Sequence, residues 1–201
     1  MSEFIIHGTP IENLNSILND KHIKIKPKKK DRMIIHNDLN QIFTQLIFKN
    51  IPNEEFQNFH WFTVGIILHK KILKDLPFYA NNLGRFSNSF NDGMKRKDLL
   101  AKGNGDLKKY PDLKRLRTHI KNDLKNARSS GDFIHSHEIL FNQNISLEKY
   151  CVCIIINDLQ KDHKIINNLN IPIIYRKHVR PGKTGDGIDK MINKIKDLKH
   201  S

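Results

Sequence analysis

The sequence predicts a single domain of the α+β class over residues 1–201, because strand-like runs and amphipathic helices both occur in a chain of this length. Residues 61–68 (WFTVGIIL) are almost continuously apolar and rich in β-branched side chains, which is typical of a central, buried strand. Residues 107–127 and 186–199 instead repeat apolar side chains at helical spacing, with lysines on the opposite side. One core is therefore expected to contain both kinds of element.

The chain opens with a strand, a polar corner and a helix. Residues 4–6 (FII) are apolar and run into a corner formed by His7, Gly8, Thr9 and Pro10. Thr9 suits the cap of the helix that follows, and Pro10 suits its first position, where a backbone N–H would have no partner. Gly8 then lies where the backbone can approach a ligand closely. The apolar face of the helix is predicted from Ile11, Leu14, Ile17 and Leu18.

Two later segments combine strands with polar residues. A second strand is predicted around residues 41–48, which contain Phe43 and Thr44. Farther along, residues 138–141 and 150–156 read as two strands separated by a short polar break. Between the second strand and these two, residues 80–106 have the composition of a loop insertion, and long loops in compact domains are often functional. Candidate cleft residues in and beside this loop are Tyr79, Arg85, Phe86 and Ser87.

The charge of the chain favours a polyanionic partner. The formal net charge is +14, which suits nucleic acid or a phosphate-rich ligand. Residues 27–32 (PKKKDR) form either a phosphate-contacting loop or an ordinary solvated turn. The basic helix of residues 107–127 either packs on a sheet or lies along a nucleic-acid backbone. The alternative for the charge as a whole is a solvated lysine surface that reflects a biased genome.

The cysteines and the hydropathy pattern indicate a soluble, intracellular protein, either cytoplasmic or nuclear. Cys151 and Cys153 are two positions apart in an apolar run, which suits neither a disulfide nor a zinc site and predicts free, buried thiols. No run approaches the roughly 20 apolar residues of a membrane span, and no signal peptide is recognisable. We therefore expect no membrane partner, and we expect a monomer.

Three of these segments together resemble the ADP-ribosyltransferase superfamily, in particular its poly(ADP-ribose) polymerase-like branch of the His-Tyr-Glu type. His7-Gly8-Thr9 before a helix resembles the first motif of that branch. The second motif, of the type Ile-Tyr-Phe-Ala, is matched by residues 42–45 (IFTQ). The third, a glutamate that opens a strand, is matched by Glu138, with Ile145-Ser146-Leu147 and Tyr150 after it. The resemblance covers residues 4–156.

The resemblance implies a fold of split mixed and antiparallel sheets with flanking helices, and a site for NAD as co-substrate. It implies that Glu138 stabilises the oxocarbenium-like ribose of the transition state and that His7 binds the other ribose. The Gly8 backbone would pair with the nicotinamide amide, and the Phe43 ring would stack on nicotinamide. Thr9 and Thr44 would complete the cofactor-binding set, and no metal is implied. The implied activity is transfer of ADP-ribose to a protein or nucleic-acid acceptor.

The sequence departs from the family pattern in ways that keep other functions open. Phe43 replaces the tyrosine and lacks its hydroxyl, so a non-catalytic module that binds NAD, ADP-ribose or nucleic acid is an alternative. Ser136 stands where arginine-modifying members have a second glutamate, which argues against arginine as the acceptor. His135 and His137 are too few for a metal site. Residues 180–187 (RPGKTGDG) lack the earlier glycine of a phosphate-binding loop. A basic nucleic-acid-binding protein with coincidental motifs is a further alternative.

Overall fold

The computed structural model describes residues 3–25, 42–48, 63–81, 114–115, 117–118, 121–122, 138–177 and 188–198. For residues 79–81, 138 and 188–190 it describes the backbone alone. Several predictions lie outside the described residues: the basic loop 27–32, the glycine-rich segment 180–187, nearly all of the insertion 80–106, the histidines at 135 and 137, Ser136, and the cleft residues Arg85, Phe86 and Ser87.

The described residues contain nine strands and four α-helices with defined ends, and residues 114–115, 117–118 and 121–122 are also helical. The strands are β1 Glu3–Thr9, β2 His22–Ile23, β3 Ile42–Phe48, β4 Val64–His69, β5 Tyr79–Asn81, β6 Glu138–Phe141, β7 Ile145–Ser146, β8 Cys151–Asn157 and β9 Ile173–Arg176. The helices are α1 Leu14–Asp20, α2 Ile72–Asp75, α3 Leu147–Tyr150 and α4 Ile188–Asp197, and 3-10 turns occupy Ile11–Asn13 and Asp158–Gln160. Within the described part of the chain, no helix has both the length and the apolar character needed to cross a membrane.

Seven strands form one mixed sheet in the order β5-β6-β3-β1-β4-β8-β9, and β2 and β7 form a second, two-stranded sheet. All neighbours in the large sheet are antiparallel except β8 and β9, which are parallel. The prediction of an α+β fold with mixed strand pairing is confirmed. β3 joins two parts of this order, because its residues 45–48 pair with β1 and its residues 42–44 pair with β6.

The two faces of the large sheet carry separate apolar clusters. On the first face, Ile5 and its neighbours pack against α1, α2 and α3. On the second face, Phe4 and Ile6 pack against α4, with Met191, Ile192 and Ile195 of that helix buried. Successive side chains of a strand point to opposite faces, so the position of each remaining residue of β1 and β3 assigns it to the first or the second face. The predicted apolar strand of residues 61–68 is confirmed as buried but begins at Val64.

The predicted polar corner is part of β1, and this part of the sequence interpretation is wrong. β1 continues through His7 and Gly8 to Thr9, because Gly8 pairs with Gly65 and Thr9 pairs with Val64 of β4. Pro10 precedes a 3-10 turn, and no side chain of its own segment caps that turn. The Ile11 N–H instead donates to Thr63 Oγ1 at 2.7 Å. Thr9 Oγ1 accepts a hydrogen bond from Asn13 Nδ2 at 3.3 Å. Pairing with β4 thus outweighs the local preference for a turn.

A buried tyrosine ties α3 to α2. The side chain of Tyr150 is 3% exposed, and its hydroxyl donates to Asp75 Oδ2 at 3.1 Å. Lys149 Nζ lies 3.0 Å from the same oxygen. The hydrogen bonds from Lys149 and Tyr150 hold the pKa of Asp75 below its ordinary value. The ionised form of Asp75 is therefore favoured by folding.

We expect Asp75→Asn to flatten the acid side of the stability profile. Because folding lowers the pKa of Asp75, its contribution is present above the unfolded pKa and is lost as pH falls through the folded pKa. Urea unfolding measured between about pH 5 and pH 3 should show a steeper loss of unfolding free energy for the wild type than for this variant. The exposed Asp162 supplies the control, since Asp162→Asn should keep the wild-type slope. Equal slopes for the wild type and Asp75→Asn would contradict the assignment.

Candidate active site

The strands that carry the three sequence motifs are immediate neighbours in the sheet. β6 begins at Glu138, β3 contains Phe43 and Thr44, and β1 contains His7, and the order of these strands is β6-β3-β1. In register, Phe43 lies opposite Leu140 of β6, and Thr44 lies opposite Ile139. Residues 42–44 of β3 pair with β6 and residues 45–48 pair with β1, so β3 joins the strands of the first and third motifs. Segments far apart in sequence thus meet at one place.

β1 and β3 separate beyond Ile6. Their register runs from Glu3–Phe48 to Ile6–Gln45, and no later pair is formed although the structure describes β1 to Thr9 and β3 to Ile42. β1 remains paired with β4 as far as Thr9, and β3 remains paired with β6 as far as Ile42. Each strand therefore keeps its outer partner while the two part from each other. We call the resulting gap the β1–β3 opening.

The His7 ring lies at this opening. His7 Nδ1 is 2.8 Å from the Phe43 carbonyl oxygen, and the ring is half-buried. A carbonyl oxygen can only accept, so Nδ1 must carry the proton and donate. In the neutral ring Nε2 is then the acceptor. Beyond Ile6, where the backbone pairing of β1 with β3 ends, the His7 side chain holds β3 to β1 by its hydrogen bond to the Phe43 carbonyl.

The alternation of the strands separates the predicted residues between the two faces. Residues an even number of positions apart on a strand share a face. His7 therefore shares the first face with Ile5, and Phe43 shares the second face with Ile47. The side chains of His7 and Phe43 therefore do not lie side by side on one surface. Across the β1–β3 opening, His7 Nδ1 contacts the Phe43 carbonyl oxygen.

The two predicted threonines bond within the protein. Thr44 is 2% exposed, and its hydroxyl donates to the Ile139 carbonyl at 2.8 Å. Thr9 is 4% exposed and accepts from Asn13. Their hydrogen bonds fix β3 to β6 and β1 to the following turn. In this state neither hydroxyl is presented on the protein surface.

Two glycines face each other beside the opening. Gly8 of β1 pairs with Gly65 of β4. Each glycine is two positions from a second-face residue, Ile6 or Ile67, so both lie on the second face. With no Cβ atom on either strand, the sheet presents bare backbone at this position. Gly8 is half-buried and Gly65 is buried. The close backbone approach predicted for Gly8 has a local basis, and Gly65 is a partner that sequence reasoning missed. Its signal was a glycine inside an otherwise strongly apolar strand.

For Glu138 the structure describes the backbone position. It is the first residue of β6 and pairs with Asn81 of β5. The backbone of Tyr79 lies in the same sheet, opposite Leu140. Among the described residues, no group of three His, Cys, Asp or Glu side chains is arranged to hold a metal ion.

A buried arginine on the last strand was also missed. Arg176 is 7% exposed and pairs in register with Asn157 of β8. Arg176 is two positions from Ile174, so it lies on the second face. It is at the end of the sheet where β1 reaches Gly8. A guanidinium remains charged when buried. The only sequence signal was a basic residue within the apolar run of residues 171–179.

The cysteines are free, as predicted, and they are not nucleophiles. Desolvation by burial raises the pKa of Cys153 to about 12 and raises the pKa of Cys151 still further. Both thiols are therefore protonated at neutral pH, and a thiolate is the reactive form. Cys153 belongs to the second-face cluster, where it packs as a small apolar side chain.

Comparison with protein-family models, with curated protein sequences and with solved structures returns no match to this chain. The three motifs and the geometry of the β1–β3 opening are therefore the features of this chain that bear on its function.

The resemblance implies that NAD contacts the Gly8 backbone, and on that basis we expect substitution of Gly8 to weaken NAD binding in proportion to the size of the new side chain. Gly8→Ala adds one methyl group to the bare backbone, and Gly8→Val fills it with a branched side chain that still suits a strand. NAD binding measured by calorimetry should weaken for Gly8→Ala and be lost for Gly8→Val. Thermal unfolding checks that both variants fold. NAD affinity unchanged in a folded Gly8→Val would rule out this backbone as a contact.

Proposed function

We propose that this protein is an NAD-dependent ADP-ribosyltransferase that transfers ADP-ribose from NAD to a macromolecular acceptor and releases nicotinamide. The observation that carries this proposal is the β1–β3 opening. It has the first motif on one side and the second on the other, and the strand of the third motif is the next in the sheet. The resemblance requires three distant segments to form one site, and adjacency of their strands supports that requirement.

The reaction needs few groups from the protein. The bond between the ribose C1′ and the nicotinamide nitrogen breaks, and its electron pair leaves with nicotinamide. The ribose develops oxocarbenium-like charge, which a carboxylate at Glu138 would stabilise more strongly in the transition state than in bound NAD. A nucleophilic oxygen or nitrogen of the acceptor then bonds to C1′, and its proton passes to the carboxylate or to water.

The geometry supports separate roles for the residues at the opening. By strand alternation, the Gly8 backbone and the Phe43 side chain belong to the second face, where the glycine pair has no Cβ atoms. In this proposal the nicotinamide ring stacks on Phe43 there. His7 is bonded to the Phe43 carbonyl, so in this proposal it is a positioning residue that sets the distance between β1 and the stacking ring. The role implied by the resemblance, a bond from His7 to ribose, would use Nε2.

The acceptor is a protein or a nucleic acid. The net charge of +14 favours a polyanionic acceptor. A second candidate function is a non-catalytic module that binds NAD or ADP-ribose, and the observation in its favour is Phe43, whose ring can stack but has no hydroxyl.

Glu138→Gln should abolish nicotinamide release while leaving NAD binding intact. The amide keeps the size of the side chain but cannot stabilise positive charge, and loss of one such electrostatic contact typically slows a reaction about 100-fold or more. Release of nicotinamide from NAD is measured for the purified wild type and variant, with DNA, RNA or cell lysate added as acceptor.

The control for this experiment is Glu12→Gln, which removes an exposed carboxylate from the turn after β1. It should release nicotinamide at the wild-type rate. Equal rates for Glu138→Gln and the wild type would remove Glu138 from the mechanism. A wild type that binds NAD but releases no nicotinamide with any acceptor would favour the binding module.

Substitution of Phe43 separates stacking from hydroxyl chemistry. Phe43→Leu keeps an apolar side chain but removes the ring, and loss of a stacking contact of about 0.5–1.5 kcal/mol should raise the Kd for NAD roughly twofold to tenfold. Phe43→Tyr keeps the ring and should bind NAD as the wild type does. A faster release of nicotinamide by Phe43→Tyr would show that the missing hydroxyl limits the rate. Unchanged affinity in Phe43→Leu would contradict stacking.

A further inference from the structure

Basic residues from two segments converge on Glu3, at the end of the sheet opposite Gly8. Glu3, at the start of β1, forms two ion pairs. Lys70 Nζ lies 3.2 Å from Glu3 Oε2, and Arg117 Nη1 contacts Glu3 Oε1. Lys70 follows β4, and Arg117 belongs to the basic helical segment that contains residues 114–115, 117–118 and 121–122. Glu3 lies opposite Phe48, and Lys121 Nζ lies 5.7 Å from the centroid of the Phe48 ring. The helical segment is therefore held against the ends of β1 and β3.

Helical spacing brings further cations to the same place. Lys114, Arg117 and Lys121 are three and four positions apart, so they share one side of a helix. On the β4 side, Lys71 and Lys74 are both exposed, and Lys71 Nζ lies 5.7 Å from the Tyr150 ring. We name this set the basic end surface, and its members are Lys70, Lys71, Lys74, Lys114, Arg117 and Lys121.

The basic end surface has few acidic counterparts among the described residues. The carboxylate of Glu3, whose side chain is 5% exposed, is shared by two cations and can neutralise only one. The nearby Asp75 is engaged by Lys149 and Tyr150. Lys114, Lys121, Lys71 and Lys74 thus add positive charge that these two carboxylates do not balance. Such a concentration of one sign attracts polyanions.

The ion pairs also hold the surface in place. The side chains of Lys70 and Arg117 remain 35% and 38% exposed while bonded to the buried Glu3 carboxylate. A ligand that binds them does not have to order them first, which lowers the entropic cost of association. No exposed aromatic or large apolar side chain belongs to this surface, since those of the described residues are Leu159, Ile166 and Tyr175. Stacking on bases and insertion into a bilayer both need such side chains.

We propose that the basic end surface binds the phosphodiester backbone of nucleic acid without regard to base sequence. It lies at the opposite end of β1 from the β1–β3 opening, about 17 Å away over the five residues from Glu3 to Gly8. Binding there is distinct from NAD binding and does not depend on the proposed transferase activity.

The test is binding of a fluorescein-labelled 20-nucleotide single strand and of the corresponding duplex, measured by anisotropy without NAD. The salt concentration is varied from 50 to 200 mM. The test variant is Lys74→Gln/Lys114→Gln/Lys121→Gln, which removes three exposed charges and spares the Glu3 ion pairs. The control Lys161→Gln/Lys164→Gln/Lys177→Gln removes three exposed charges elsewhere, so the net charge of the two variants is equal.

The wild type should bind both probes with an affinity that falls steeply with salt. Each lost phosphate contact reduces the log–log slope by about 0.7 for the single strand and about 0.9 for the duplex, so the test variant should lose about 2 to 3 units of slope. At about 100 mM salt its affinity should fall at least about tenfold, whereas the control should stay within about threefold.

Three results would overturn the proposal. The first is wild-type binding that does not depend on salt or is too weak to measure. The second is an equal loss of affinity in the test and control variants, which would indicate attraction by net charge alone. The third is equally tight binding to phosphatidylserine vesicles that is lost in the test variant, which would assign the surface to a membrane. Because NAD is absent, none of these results depends on whether the transferase proposal is correct.

Discussion

The unequal pairing of β1 is the constraint on which the β1–β3 opening and the basic end surface both depend. On one side β1 pairs with β4 up to Thr9, and on the other it pairs with β3 only up to Ile6. A strand held along one edge keeps its extended form when the other edge is released. The β1–β3 opening therefore forms within a rigid sheet and does not require a loop. His7 closes its inner end with the bond to the Phe43 carbonyl.

The same strand links the opening to the basic end surface. Glu3 anchors Lys70 and Arg117 at one end of β1, and Gly8 faces Gly65 at the other. Between them, Phe4 and Ile5 are completely buried and belong to opposite apolar clusters. Packing on both faces leaves little freedom for the strand to bend. The two regions are thus held at a fixed separation, as a surface that captures a polymer and a separate reaction site would need.

Elements with one strong local signal could be predicted from the sequence. The apolar run before His69 is a buried strand, and the amphipathic pattern after residue 186 is a helix whose apolar side is buried. The extended backbone from His7 to Thr9 could not be predicted, because Gly8 favours a turn locally and its pairing with Gly65 keeps the strand extended. Tertiary contacts outweighed local propensity there. The motifs predict candidate site residues but contain no information on where β1 and β3 separate.

The bond between His7 and Phe43 has a consequence for how the opening responds to protonation. The Phe43 carbonyl needs a proton on Nδ1 in the neutral ring, and the charged ring carries a proton there as well. Gain of a proton at Nε2 therefore leaves the bond between the strands in place and strengthens it, since a charged donor bonds more tightly. The same change converts Nε2 from an acceptor into a donor without removing the bond between the strands. Protonation of His7 therefore preserves its structural role, so an effect of pH on NAD affinity that is lost on substitution of His7 would require a second role for the ring.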